Sequence, residues 1–213
     1  MRKLPTSLHR AAAARLSATL CLALLAGCGG HGDYTKQHID DSQERLAQLK
    51  SGTEWQMAQQ QFLAGDLDKA AKTIDKSLAL NPKVPKSHVL KGRILMEKGQ
   101  LEQARMCFLE AEKLEPTTVD AQYYLGIVHE RFSEPQLAFD RYSKAIELDS
   151  TNPQYVVAAS DMLVQLDQLD DAEKFLHSKR SNFEYNSALR QSLGNISMLR
   201  GDFVKATGYY DEA

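Results

Sequence analysis

The 213-residue sequence predicts an all-α fold, an α-solenoid of about five stacked helical hairpins. Three observations carry that reading. Alanine recurs every 34 residues, at Ala70, Ala104, Ala138, Ala172 and Ala206. A second series of small residues keeps the same period, at Ala58, Gly92, Gly126, Ser160 and Gly194. A large aliphatic or aromatic residue stands four positions after each alanine: Ile74, Phe108, Tyr142, Leu176 and Tyr210. The i, i+4 spacing puts a small contact and a bulky wedge on one helix face. A unit this short buries its apolar face only against its neighbours, so the units stack.

Composition bounds the class. Hydrophobic residues make up 43% of the chain, enough for a core at this length. The formal net charge is −2, yet four of the 26 basic residues (Arg2, Lys3, Arg10 and Arg15) fall in residues 1–27, which hold none of the 28 acidic ones. From Cys28 onward the chain is therefore acidic on balance. That argues against nucleic acid as a partner, because phosphate binding wants a basic face.

At the N-terminus a basic stretch, Met1 to Arg15, precedes an apolar run, Leu16 to Ala26. The run is shorter than the roughly 20 residues a bilayer requires. It reads as an export signal rather than as structure. It closes on Leu25-Ala26-Gly27-Cys28. That tetrapeptide resembles the bacterial lipobox. The resemblance implies a lipoprotein signal peptide over residues 1–27, lipidation of the Cys28 thiol, and cleavage on its amino side. Gly29 in place of an aspartate then favours outer-membrane sorting. The expected location is the bacterial cell envelope, at the periplasmic face of the outer membrane. Cys21 leaves with the signal, and Cys107, alone on a helix, reads as a small packing residue.

The remaining elements come in order along the chain. Residues 28–50 are expected to hold the anchor, a flexible tether at Gly29-Gly30-His31-Gly32, and a polar helix from Tyr34 to Leu49 ended by a break at Lys50-Ser51-Gly52. Five units succeed them at residues 51–84, 85–118, 119–152, 153–186 and 187–213, the last incomplete. Between the two helices of each unit stand Gly65-Asp66, Gly99-Gln100, Ser133-Glu134, Asp167-Gln168 and Gly201-Asp202, where glycine suits a left-handed helix end. Pro82 and Pro116 end the second helices of the first two units, and Asn152-Pro153 is expected to end that of the third. Pro135 is placed to start a helix. Unit four, with Lys179 where a small residue is usual, fits the pattern least.

This 34-residue unit is similar to the tetratricopeptide repeat family, over residues 51–213. The chain departs from the family in the large aromatic usual early in the first helix, since Trp55 lies one position late. The resemblance implies a protein-binding function, with the first helices lining a concave groove that holds an extended peptide or a partner helix. Counting groove positions on that basis selects Trp55, Gln59 and Phe62 in unit one and Val89, Arg93 and Met96 in unit two. Unit three supplies Tyr123, Ile127, Glu130 and Arg131; units four and five supply Asp161, Gln165 and Asn195. Trp, Tyr, Met and Arg are types enriched in interface cores. The clamp by which some members hold a terminal carboxylate is missing, because its places hold Trp55, Gln59, Leu90 and Asp120.

No residue pattern supports chemistry. His129-Glu130 is half of a zinc-protease motif, but the second histidine is replaced by Ser133. There is no Gly-x-Ser-x-Gly elbow and no phosphate loop. Accordingly no catalytic residue, metal site or cofactor is expected. The reading is a membrane-anchored adaptor or scaffold that binds other proteins. The alternatives are a pilotin-like assembly lipoprotein for a pilus or secretion system, and the docking portion of a longer chain with an enzymatic domain past residue 213.

Overall fold

A computed structural model describes residues 33–183 and 186–213. The expected signal peptide and glycine tether, with Cys28 between them, lie outside them. The chain divides into two compact units, the first ending at Leu46 and the second running from Ala47 to Ala213. In the first, the described residues form the start of helix α1 (Asp33–Leu63), and its side chains from Lys36 to Leu46 are exposed. Ser42 Oγ donates to the His38 carbonyl at 2.7 Å.

In the second unit the rest of α1 is followed by α2 (Leu67–Leu80), α3 (Pro85–Glu97), α4 (Leu101–Leu114), α5 (Val119–Arg131), α6 (Pro135–Leu148), α7 (Pro153–Gln165), α8 (Leu169–Lys179), α9 (Ser187–Leu199) and α10 (Phe203–Asp211). A short 3-10 turn, Arg180–Asn182, comes after α8. The described residues contain no strand. The starts of α3, α5, α7 and α9 are 34 residues apart, and so are those of the five even-numbered helices. Among the described residues no helix is long and apolar enough to cross a membrane.

The wedge and the small residue meet within each hairpin. A methyl group built on Gly92 would lie 2.5 Å from the Phe108 ring, and one on Gly194 would lie 2.5 Å from the Tyr210 ring. On Gly126 it would press as hard on Tyr142. Units one and four use Ala58 against Ile74 and Ser160 with Leu176 at the same positions, all fully buried. The periodic alanines are likewise fully buried. Three apolar clusters run along the stack: Ala58, Ala70, Ile74, Leu90 and Ile94; a middle group around Phe108 and Leu125; and a larger one from Ala138 to Ile196.

Two elements differ from the sequence-based expectation. The helix runs through Lys50-Ser51-Gly52 without a break. Ser51 is the reason: it is buried, donates to the Ser77 carbonyl at 3.0 Å, and its own carbonyl accepts from Ser77 Oγ at 2.9 Å. That tie to α2 holds the turn helical, against a glycine cost of only about 1 kcal/mol. Helix α6 ends at Leu148, in register with α2 and α4, and not at Asn152-Pro153. Here Asp149 Oδ1 accepts from the Thr151 amide at 2.9 Å and the Thr151 hydroxyl at 2.6 Å, and this local turn competes with the helix.

Each hairpin turn has one residue with positive φ. Gly65, Gly99 and Gly201 adopt it between 75° and 80°, and Ser133 and Asp167 at 59° and 60°. A polar node ties unit two to unit three. Glu112 of α4 accepts from Gln122 of α5 at 2.9 Å, and from Arg141 and Lys144 of α6 at 2.9 and 2.8 Å. Burial would raise its pKa, but the hydrogen bonds from Lys144 and Gln122 and the charge of Arg141 outweigh that and hold it at about 2.

Two glycines separate packing from propensity. Gly126→Ala drives a methyl into the Tyr142 ring and is expected to destabilise the fold by about 1–3 kcal/mol. Gly52→Ala meets open space in a helix interior and is expected to stabilise by about 0.5–1 kcal/mol. Thermal melts of the two variants check both signs.

Candidate functional site

The first helices place one polar or aromatic row beside the next. Trp55 is half-buried; its Nε1 donates to the Lys86 carbonyl at 3.2 Å, and Lys86 Nζ lies 4.4 Å over its ring. The Arg93 guanidinium stands 4.8 Å from the Phe62 ring and 5.1 Å from the Tyr124 ring, so a residue of unit two bridges aromatics of units one and three. Phe108 stacks on Tyr124 with ring centres 5.4 Å apart. Tyr123 sits at the centre, 5.4 Å from Tyr124, 5.7 Å from Tyr142 and 5.0 Å from Tyr155.

Beyond Tyr123 the row turns acidic. Glu130 is exposed and accepts from the Tyr142 hydroxyl at 2.8 Å. Burial, then that hydrogen bond, raises the Tyr142 pKa. Asp161 of α7 is reached by water yet surrounded by protein on the wall. Desolvation, with the negative charge of Glu130 added, raises its pKa from 3.8 to about 6. Tyr123 is raised for the same two reasons. Among the described residues no ion pair involves Glu130, Asp161 or Arg93. Arg131 is exposed and donates to the Met96 carbonyl at 3.3 Å.

The structure brings part of the expected groove together: Phe62 with Arg93, and Tyr123 with Glu130 and Asp161 around Tyr142. Ile127 is half-buried between two apolar clusters. Val89 and Met96, expected on the groove, are buried at 5% exposure in the middle cluster. Both share that cluster with Ala121, Leu125 and Val128 of the next unit, whose packing takes them out of water. Trp55, Tyr123 and Val157, at the repeat position of Val89, remain half-buried. Gln59 and Gln165 make no hydrogen bond to another candidate among the described residues. Asn195 accepts from Tyr210 at 2.7 Å.

Sequence reasoning missed Lys86, Tyr124 and the Tyr142 hydroxyl as parts of this surface. A signal for the last was present. Phe108 fills the same wedge position without a hydroxyl, whereas Tyr142 and Tyr210 both carry one, and both reach a polar residue of a first helix. His129 pairs with Glu134 across the turn, Nδ1 to Oε2 at 2.6 Å. The described residues hold no group of three or more His, Cys, Asp or Glu placed for a metal ion.

Models of the TPR repeat and of the tetratricopeptide repeat match residues 92–131 and 57–105 respectively. The chain is a tetratricopeptide repeat protein. Its sequence is 24% identical over 120 residues to the type IV pilus assembly protein PilF of Pseudomonas aeruginosa, a match covering 55% of this chain and 48% of PilF. The chain thus spans about half the length of that curated relative. Its fold is similar to that of PilW, described as a widely conserved type IV pilus biogenesis factor, at TM-score 0.66 and 19% identity over 76% of this chain and 75% of the other. It is also similar to YrrB, described as a TPR protein with an unusual peptide-binding site, at TM-score 0.61 and 18% identity over 86% of this chain and 91% of the other.

The raised Asp161 value has a consequence for stability. A folded-state pKa of about 6 above the unfolded 3.8 means that ionisation opposes folding. The cost is full above the folded value, fades as pH falls through it, and is gone below the unfolded one. Asp161→Asn is therefore expected to raise Tm near neutral pH, with the gain shrinking as the solution is acidified to about pH 4. Melts of wild type and variant across that range read the difference directly.

Proposed function

We propose that this tetratricopeptide repeat protein is a protein-interaction adaptor of the bacterial cell envelope. It holds a segment of a partner protein against the wall of its first helices. The observation that carries the reading is that wall itself, a partly exposed row from Trp55 through Arg93 and Tyr123 to Asp161 whose charged groups are not consumed by ion pairs within the described residues. Aromatic and arginine side chains of this kind supply most of the energy at protein interfaces. In the same reading a lipid on Cys28 tethers the array to the outer membrane and raises its local concentration near envelope partners. The lipobox-like Leu25-Ala26-Gly27-Cys28 supports that anchor.

A second reading places the adaptor in pilus assembly. The likeness to PilF and PilW favours it, as both are pilus proteins by description.

Cross-linked capture from native membranes tests the adaptor, with the full-length protein as bait and a Tyr123→Ala, Arg131→Ala double variant as control. Envelope proteins captured by wild type and lost by the variant are the expected result. Pilus components among them favour the second reading, and capture that the variant does not change moves the site off this wall. Separately, Cys28→Ser is expected to release the protein from the membrane fraction. Retention of that variant, with no lipid label on wild-type residue 28, overturns the anchor.

A further inference from the structure

The wall is segregated by charge along the stack. At units one and two the ring-bound groups are cationic: Lys86 over Trp55, and Arg93 between Phe62 and Tyr124. At units three and four stand the exposed carboxylates Glu130 and Asp161. Several acids elsewhere on the fold are paired with cations. Glu112 takes Arg141 and Lys144, Glu173 takes Arg200 and Lys205, and Asp68 takes Lys98. Neither Glu130 nor Asp161 is so paired among the described residues. The nearby cation on the same helix as Glu130, Arg131, is bonded to the Met96 carbonyl. Glu130 has a single donor, the Tyr142 hydroxyl, which leaves its other oxygen without a hydrogen bond among the described residues.

Two carboxylates on adjacent units that repel each other, beside a tyrosine ring, form a receptor for a cation on an alkyl stem. The stem packs on Tyr123 while its charge sits between the acids. The guanidinium of Arg93 is the complementary half. It lies 4.8 and 5.1 Å from the centres of two rings, and its N–H groups form no ion pair among the described residues, so they are free to fork onto a carboxylate. Arg93 and Asp161 hold the same repeat position two units apart, with Glu130 on the unit between them. At about 8–10 Å per packed helix, the two charge sites are separated by roughly one and a half spacings, about 12–15 Å. An extended chain crosses that distance in about four residues. Tyr123 and Ile127 lie in the interval, which wants an apolar side chain.

We infer that the wall takes an extended protein segment that carries a lysine or arginine between Glu130 and Asp161 and, about four residues away, an aspartate or glutamate on Arg93. This rests on the adaptor reading and specifies the chemistry of its partner.

Selection of phage-displayed random 12-residue peptides on the full-length chain tests it. The expected outcome is enrichment of peptides pairing a base with an acid three to five residues away, with an apolar residue between. A Glu130→Lys, Asp161→Lys double variant, with its fold checked by circular dichroism, is expected to lose those peptides by at least tenfold and to enrich acidic ones instead. Arg93→Gln is expected to lose the acid preference and keep the basic one. Peptides enriched without a basic residue, a pool that the double variant leaves unchanged, or no enrichment on any protein overturns the inference. The membrane capture distinguishes the two levels. Partners captured through the wall alongside a flat peptide selection leave the adaptor standing and remove this specificity, whereas no wall-dependent capture removes the adaptor itself.

Discussion

A ring or branched side chain on the second helix of each unit lies against a residue with almost no side chain on the first, and the rest of the stack is built on that contact. Phe108 on Gly92, Tyr142 on Gly126 and Tyr210 on Gly194 leave no room for even one methyl group. The close approach fixes how far apart the two helices of a hairpin stand. It also lets the fully buried alanines of the second helices be covered from either side. Because the contact returns at a constant step, the first helices stand side by side in one orientation. Arg93 can then touch an aromatic residue from the unit on each side of it. The wall is thus a product of the core.

Tyr142 joins the two. Its ring is the wedge, 1% exposed, and its hydroxyl emerges at the wall to hold Glu130. A core residue chosen for bulk therefore sets the position of a surface carboxylate. Phe108 could not do this, and at unit two the stack presents Arg93 against the Tyr124 ring instead of an acid.

Carboxylates meet opposite fates on two parts of the same fold. Glu112, clasped by Gln122, Arg141 and Lys144, is held at about 2 despite burial. Asp161, with Glu130 as its charged neighbour, is pushed up to about 6. Burial acts in the same direction on both. The difference lies in the company each keeps. Glu112 joins consecutive units and serves stability, whereas Asp161 stands on the open wall at a standing electrostatic cost.

The period in the sequence determined the helical hairpins, the small-on-large contacts and the left-handed turn positions, because each depends on residues close in the chain or repeated at one step. The positive φ at Ser133 and Asp167, as well as at three glycines, comes from that register. What the tertiary structure decided depends on approach between units. Ser51 and Ser77, 26 residues apart, exchange hydrogen bonds and keep α1 continuous past a glycine that looked like a break. Val89 turned into the core while Tyr123, at the same repeat position, stayed on the wall. Repeat position names the helix face a residue leaves from. How far it is covered depends on the side chains of the neighbouring units, and those differ from one unit to the next.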